Sequence, residues 1–485
     1  MNLRSFAMST AKLVVGCVSL SLFLTSYIGN ALTVAVPFFV SHYHTTPAYA
    51  SFALTGYATA LACFLLPASL LAQRFSNRSI FLLGLISCSL ITAAIPFSPT
   101  LPLLVAGRIA QGATAALCLS TAMALISRHV PTAARFVAIG IAVCFTYSGV
   151  SLSLSFSGLI IDNWGYQYMF FAASLALACL FCVARNIPKE SEENIASKST
   201  LPYFKVLLFI LSIGLCLLSL SALASWHGAR YSLLIGIALV ALLVSYEYKS
   251  TATNKIHVIP VHLLTNNKSF TYCFLVSIAA YVSVMAEPVL LALFSQYTLG
   301  ISATQAGFII VVQPITIALV SFLTGRITKV LGGNATVTLG LVIQTLALAS
   351  FVVIDTETTV TSLILRQLAV GTGFALFSAP NTTLITLAVA KHQYALASSM
   401  QQLGRSLGQG TAYALVTVII AAVVSATPGS AIYPEQFATA SVIILLISAS
   451  LGIAGIVFAY LGYLQAKHQT KTQGTLHAST SAVPA

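Results

Sequence analysis

Long apolar stretches alternate with short polar ones along the whole of this chain. A helix crosses the hydrocarbon core of a bilayer with about 20 residues. Fourteen stretches approach or exceed that length, near 13–40, 49–72, 79–97, 102–127, 134–160, 167–186, 204–224, 231–247, 270–296, 303–325, 335–354, 359–389, 394–424 and 437–463. Lipid offers backbone groups no partner, so spans of this kind are helices or closed barrels. Continuously apolar runs choose helices. One segment, with Ser151, Ser153, Ser155 and Ser157 alternating with Leu and Phe, has a strand-like period. It lies inside a longer apolar run, and we read it as a helix with small polar residues at a packing seam.

Composition agrees with an all-α polytopic membrane protein. The 485 residues are 58% hydrophobic and 6% charged, with mean hydropathy +0.95, whereas a soluble domain is about 25% charged. The net charge of +13 reports topology rather than nucleic-acid binding, because the basic residues are dispersed. Of the 22 lysines and arginines, eighteen fall in one alternate set of loops and tails, Arg230 alone in the other, and three within spans. Basic residues collect on the cytoplasmic side, so both termini are expected there and the span count is expected to be even. The first stretch is too long for a signal-peptide core and lacks a cleavage pattern, which makes it an uncleaved helix.

Metal and cofactor chemistry find no footing. All nine cysteines lie in apolar runs, and the pair Cys179 and Cys182 has no second ligand pair for zinc and no soluble context for redox work. The nine histidines are scattered, and no nucleotide loop, dinucleotide fingerprint or catalytic triad occurs. We therefore expect no enzyme, no cofactor and no metal.

Charge inside the membrane is costly and marks function or a structural pair. Glu287, followed by Pro288, is the one acid deep within a span, and Arg108, Arg366 and Arg405 are the basic residues within spans. Arg108, in LLVAGRIAQGATAAL, and Arg366, in SLILRQLAVGTGFAL, lie at similar depths in spans 4 and 12. Their match points to two six-helix repeats. Similar depths also make Arg366 the expected partner of Glu287, with Arg405 as the alternative and as an anion contact if it stays unpaired. Asn30, Gln111, Gln313 and Asn381 complete the candidate cavity residues, each of which could instead form an interhelical hydrogen bond. Gln296 marks a span end.

The loop SLLAQRFSNRSIFLLG resembles the G-x-L-A-D-R-x-G-R-R motif of the major facilitator superfamily, with Gln73, Arg74 and Arg78 at its charged positions and Ser69 and Ser76 in place of glycines. GRIAQGATAA resembles the family's R-x-x-Q-G pattern at Arg108, Gln111 and Gly112. LFSQYTLGISATQAGFIIVVQP and QQLGRSLGQG are similar to later landmarks of the fourteen-helix drug:proton antiporter branch. Two departures stand out. SLSFSG carries Leu154 where the span 5 antiporter motif has proline, and Ile28 stands near the place of the usual span 1 acid.

The resemblance implies an N-terminal six-helix bundle over 1–186, a cytoplasmic linker over 187–203, two inserted helices and a loop over 204–266, a C-terminal six-helix bundle over 267–465 and a disordered tail over 466–485. It also implies a central cavity opening alternately to each side. The expected function is proton-coupled export of an organic small molecule, with Glu287 as the proton site and Gln73, Arg74 and Arg78 as a gating loop. The alternatives are a symporter or an uncoupled facilitator of a specific, anionic metabolite, and last a scaffold or sensor without transport. The expected partners are substrate, protons and lipid, for a monomer in the plasma (inner) membrane.

Overall fold

The computed structural model describes residues 3–131, 135–188, 202–223, 228–249, 258–355, 357–389, 394–425, 430 and 432–480. Among them there is no strand, and fourteen helices are long and apolar enough to cross a membrane. In order these spans are Thr10–Asn30, Pro47–Ala72, Asn77–Phe97, Leu101–Ile126, Cys144–Asn163, Gln167–Ala184, Tyr203–Ala222, Ala229–Lys249, Lys268–Tyr297, Ala303–Ser321, Gly333–Val353, Val360–Leu387, Ser399–Val423 and Tyr433–Gln465. Each coincides with one predicted stretch. An even number of crossings brings the last span back to the side on which the first begins, the terminal face.

Three stretches differ in detail from the sequence reading. The first is not one helix from 13 to 40: it stops at Asn30, turns over 31–35 and restarts as Val36–His42 with Pro37 in its first turn. Proline has no N–H to give, so it suits a helix start and interrupts a helix interior. The tenth breaks at Val311 into Ala303–Ile310 and Val312–Leu331 for the same reason, since Pro314 cannot bond back to Ile310. The final helix runs Tyr433–Thr480, so the tail expected to be disordered from 466 is helical as far as Thr480. Its first residues, Ala466, Lys467, His468 and Gln469, carry no helix breaker. Most of the expected linker, 189–201, lies outside the described residues.

Packing repeats with an offset of eight spans. Span 2 packs on 4, 1 on 5, 3 on 4 and 3 on 6; in the second half span 10 packs on 12, 9 on 13, 11 on 12 and 11 on 14. Close approaches fix the register of this repeat. A Cβ on Gly112 of span 4 would lie 2.3 Å from the Tyr57 carbonyl oxygen of span 2, and one on Gly371 of span 12 would lie 2.7 Å from the Gln313 carbonyl oxygen of span 10. Gly84 of span 3 meets the backbone at Cys118, six residues after Gly112, and Gly340 of span 11 meets it at Phe377, six residues after Gly371. The turns before spans 3 and 11 match as well: Ser76 has φ 89°, ψ 145° and Gly332 has φ 85°, ψ 156°.

The two sets of helices meet along two seams, span 5 against span 10 and span 2 against span 13. Span 7 covers the second seam and touches both of its sides, whereas span 8 leans mainly on span 7. This hairpin is tied at the terminal face by a buried ion pair, Lys205 Nζ to Glu247 Oε2 at 3.1 Å, and Glu247 Oε1 accepts the Val258 N–H at 3.0 Å. The outer surface is apolar, with Leu90, Leu234, Leu319 and Leu365 exposed. A coat of that size suits lipid, where exposed leucine carries no penalty.

Candidate functional site

Arg108 is fully buried and donates four hydrogen bonds to backbone and amide oxygens. It donates to the carbonyls of Ile28 at 3.0 Å, Gly29 at 3.3 Å and Ala53 at 3.2 Å, and to Gln111 Oε1. Gln111 in turn donates to Thr92 Oγ1 at 2.8 Å, and the guanidinium stacks 4.5 Å from the Tyr57 ring centre. The cause lies in the broken first span. A helix that ends inside the apolar layer leaves carbonyls without intrahelical donors, and Arg108 supplies those donors. Asn30 adds one more, from Nδ2 to the Ser26 carbonyl at 2.9 Å.

Glu287 is buried on span 9, and neither carboxylate oxygen accepts a hydrogen bond from a described residue. The neighbouring polar group is the Gln367 carboxamide of span 12, whose Oε1 and Nε2 are likewise unbonded. Gln367 thus faces the carboxylate without the alignment of a formed hydrogen bond. The expected pairing with Arg366 does not occur. Arg366 is half-buried, donates to Ser362 Oγ at 2.7 Å, lies 5.6 Å from the Phe351 ring centre and falls within the field of Asp355. Helical geometry explains the outcome: Leu363, Gln367, Val370 and Phe374 form the buried stripe of span 12, and residue 366 falls about 100° to its side.

The repeat register deepens this correction. Arg108 precedes the close-contact Gly112 by four residues, and four before Gly371 stands Gln367. The spatial counterpart of Arg108 is therefore Gln367 rather than Arg366. One half places a cation against a helix end, and the other places a neutral amide against a carboxylate.

Arg405, on span 13, sits at the centre between the halves. Its guanidinium lies 5.6 Å from the Tyr281 ring centre of span 9, and Tyr147 of span 5, Tyr413 of span 13 and Tyr57 of span 2 are within its electrostatic range. It is half-buried and makes no hydrogen bond or ion pair among the described residues. Three of those hydroxyls are already engaged: Tyr147 with Ser378 Oγ at 3.2 Å, Tyr413 as acceptor from Gln409 Nε2 at 2.9 Å and Tyr57 as donor to the Thr25 carbonyl at 3.2 Å. Phe374 stands edge-on to both Tyr147 and Tyr281, at 6.3 and 5.4 Å between ring centres. Gly404 and Gly408 let span 13 approach Ser277 and Tyr281 closely, which sets Arg405 beside this aromatic wall.

Asn381 joins spans 12 and 9 by donating to Ser277 Oγ at 2.8 Å and to the Cys273 carbonyl at 3.2 Å, and Ser277 passes the link to Gln401 on span 13 at 2.9 Å. Gln313 is buried beside the break in span 10. Gln296 Nε2 reaches the Val34 carbonyl at 3.4 Å. In the loop after span 2, Arg74 donates to the Tyr203 hydroxyl at 3.1 Å, and Arg78 donates to the Ile187 and Arg185 carbonyls at 2.6 and 2.7 Å. The Gln73 side chain lies outside the described residues.

The two faces are unlike. Away from the termini, Asp162 of span 5 accepts from the Thr304 N–H at 3.0 Å and the Thr304 hydroxyl at 2.5 Å, and Gly158 abuts the Ala303 backbone, where a Cβ would lie 2.4 Å from oxygen. Towards the terminal face, a cleft between spans 2, 4 and 13 is lined by Leu65, Leu119, Met123, Ser399 and Gln402. Gln402 is one turn from Arg405 along span 13.

The sequence reading passed over Gln367, Tyr57, Tyr147, Tyr281 and Tyr413. Both omissions left a signal. Gln367 occupies a polar position in an otherwise apolar i, i+4, i+7 stripe, and the four tyrosines sit inside spans rather than in the interfacial belts where tyrosine is commonplace.

The Major Facilitator Superfamily profile matches residues 18–413. An uncharacterized transporter, YebQ, of Escherichia coli (strain K12) is 25% identical over 81% of this chain and 85% of its own. The multidrug resistance protein Stp of Mycobacterium tuberculosis is 25% identical over 77% of this chain and 69% of its own. The riboflavin transporter RibZ of Clostridioides difficile (strain 630) is 20% identical over 82% and 86%.

Proposed function

The chain belongs to the major facilitator superfamily, is an integral membrane transporter of small molecules rather than an enzyme, and we propose that it exports an organic solute against entry of protons, with Glu287 as the proton site. One observation carries this reading. A carboxylate buried in an apolar interior costs several kcal/mol unless its charge is cancelled, and beside Glu287 stands an amide rather than a cation. A proton is then the available partner. A group whose surroundings change between two conformations can take that proton on one side and yield it on the other.

The Asp162 contact on the face away from the termini belongs to one end state of such a cycle. With the basic loops in the cytoplasm, that state faces inward, both termini are cytoplasmic and the membrane is the inner membrane of a bacterium. Residues 1–186 and 267–465 form the two moving bundles of a monomer. Arg108, Gln111 and Asn30 hold span 1 in shape, Arg405, Gln313 and Asn381 line or brace the cavity, and Arg74 and Arg78 pin the gating loop that includes Gln73. Arg366 lies at the periphery of the cavity. The multidrug resistance name of Stp supports export.

Ile28 and Leu154, where the antiporter branch has an acid and a proline, favour one second reading, an uncoupled facilitator of a specific metabolite. Glu287→Gln separates the two. In proteoliposomes the variant loses gradient-driven net flux and keeps counterflow exchange if Glu287 couples protons; wild-type flux in the variant would leave the facilitator.

A further inference from the structure

Arg405 makes no hydrogen bond or ion pair among the described residues, yet it is half-buried rather than sealed. Part of its surface is therefore open to solvent at mid-span, and span 12 shows from which side. Ser378 meets the Tyr147 hydroxyl of span 5, so that edge of span 12 faces the other half. One turn nearer the terminal face, Thr382 is exposed and its hydroxyl accepts from Gln401 Nε2 at 3.4 Å; one turn further, Thr386 is half-buried. Gln401 stands one turn before Arg405 on span 13. Accessible polar groups thus follow one edge from the terminal face towards the guanidinium.

The charge beside that edge is uncancelled. The face of Tyr281 holds the Arg405 guanidinium in place without neutralising it. Arg108 has Tyr57 and Tyr413 as neighbours in common with Arg405, and its own acceptors are carbonyls and an amide, which satisfy its donors but leave its charge. The acids are engaged elsewhere: Glu247 holds Lys205 in the hairpin, Asp162 holds Thr304 at the opposite face and Glu287 faces Gln367. Even ionised, Glu287 offsets one of the two cations. Charges in a confined interior act over longer distances than in water, so this pair repels a third cation and attracts an anion.

We infer that Arg405 is a charge filter, which admits neutral and anionic solutes from the terminal face and excludes cationic ones. This names the charge class of the solute and rests on the transport reading for what passes. The field itself is a property of the residues and is measurable without a substrate.

Thiol reagents of opposite charge and similar size test it in the full-length protein in phosphatidylcholine nanodiscs. The exposed native thiols are first removed by Cys144→Ser, Cys179→Ser and Cys182→Ser. Thr382→Cys and Thr386→Cys are then each reacted with the anionic sulfonatoethyl and the cationic trimethylammonioethyl methanethiosulfonate, every rate divided by that of cysteine in solution. At Thr382→Cys the anionic reagent is favoured tenfold or more, and by a wider margin than at Thr386→Cys. Arg405→Gln removes most of the preference and Arg405→Lys keeps it. Comparison of the two depths needs no change at Arg405, so the test stays decisive should the glutamine variant not fold. No reaction at Thr382→Cys, equal normalised rates, or a preference undiminished in Arg405→Gln overturns the inference. So does a preference no greater at Thr382→Cys than at Thr386→Cys, which would assign the field to the basic loops. The transport reading fails differently: the labelling preference stands, but no gradient drives solute flux in proteoliposomes. Flux of quaternary ammonium solutes as fast as that of their neutral analogues removes the filter alone.

Discussion

Gln367, and not its neighbour Arg366, faces Glu287 across spans 12 and 9. One residue of helical register separates a carboxylate beside a neutral amide from a carboxylate locked to a guanidinium. The difference decides whether the acid is free to exchange a proton.

Gln367→Arg places in the second half the cation that the first half has at Arg108. An ion pair so formed is hard to break once buried, so the variant is expected to fold, insert and lose gradient-driven transport. Flux measured in proteoliposomes with and without an imposed pH gradient checks it. Wild-type acceleration by the gradient would show that Glu287 does not couple.

Arg108 and Arg366 respond unequally to alanine. Removing Arg108 leaves the carbonyls of Ile28 and Gly29 at the helix end without those donors, at about 1–3 kcal/mol for each buried group left unpaired. Arg366→Ala loses a bond to Ser362 at the edge of the molecule, worth about 1 kcal/mol or less. Thermal unfolding in detergent is therefore expected to fall by many degrees in Arg108→Ala and by little in Arg366→Ala. Equal falls would contradict the assigned roles.

Ser76 adopts φ 89°, where Gly332 stands in the other repeat. A non-glycine residue in that region costs about 1–3 kcal/mol. Replacing Ser76 by glycine forfeits a few tenths of a kcal/mol of cap, in which its hydroxyl oxygen accepts from the Ser79 N–H, and up to about 1 kcal/mol of chain entropy. The balance favours Ser76→Gly, which is expected to raise the melting temperature, whereas Gly332→Ser lowers it.

On the face away from the termini, Asp162 accepts from the Thr304 N–H in the first turn of the helix that begins at Ala303. A charge-assisted bond of this kind contributes about 1.5 kcal/mol, roughly a tenfold change in population when lost. Asp162→Ala is accordingly expected to expose buried Ser157. Maleimide labelling of a Ser157→Cys variant from that face, with and without the Asp162 change, measures the shift.

Much of this was legible in the sequence. Span number follows from run length, because the bilayer sets one scale for every helix, and Glu287 and Arg405 stood out because charge inside lipid is rare. The partnerships were not legible. Arg366 and Gln367 differ by one position in the chain and by about 100° around the helix, and only the close contacts of Gly112 and Gly371 fix which is equivalent to Arg108. The break at Asn30 was hidden for a similar reason: Pro37 marks it, but the donors that make a helix end tolerable in lipid come from span 4, seventy and more positions away.

The hairpin of spans 7 and 8 makes the molecule one-sided towards its solvent. Along spans 2 and 13 the join between the halves lies beneath span 7, while along spans 5 and 10 the side chains of Leu152, Phe156, Phe308 and Ile315 are exposed. Acyl chains can therefore reach the join from one flank only. When the halves move, lipid must rearrange on that flank, and a solute dissolved in the bilayer has a single direction from which to arrive.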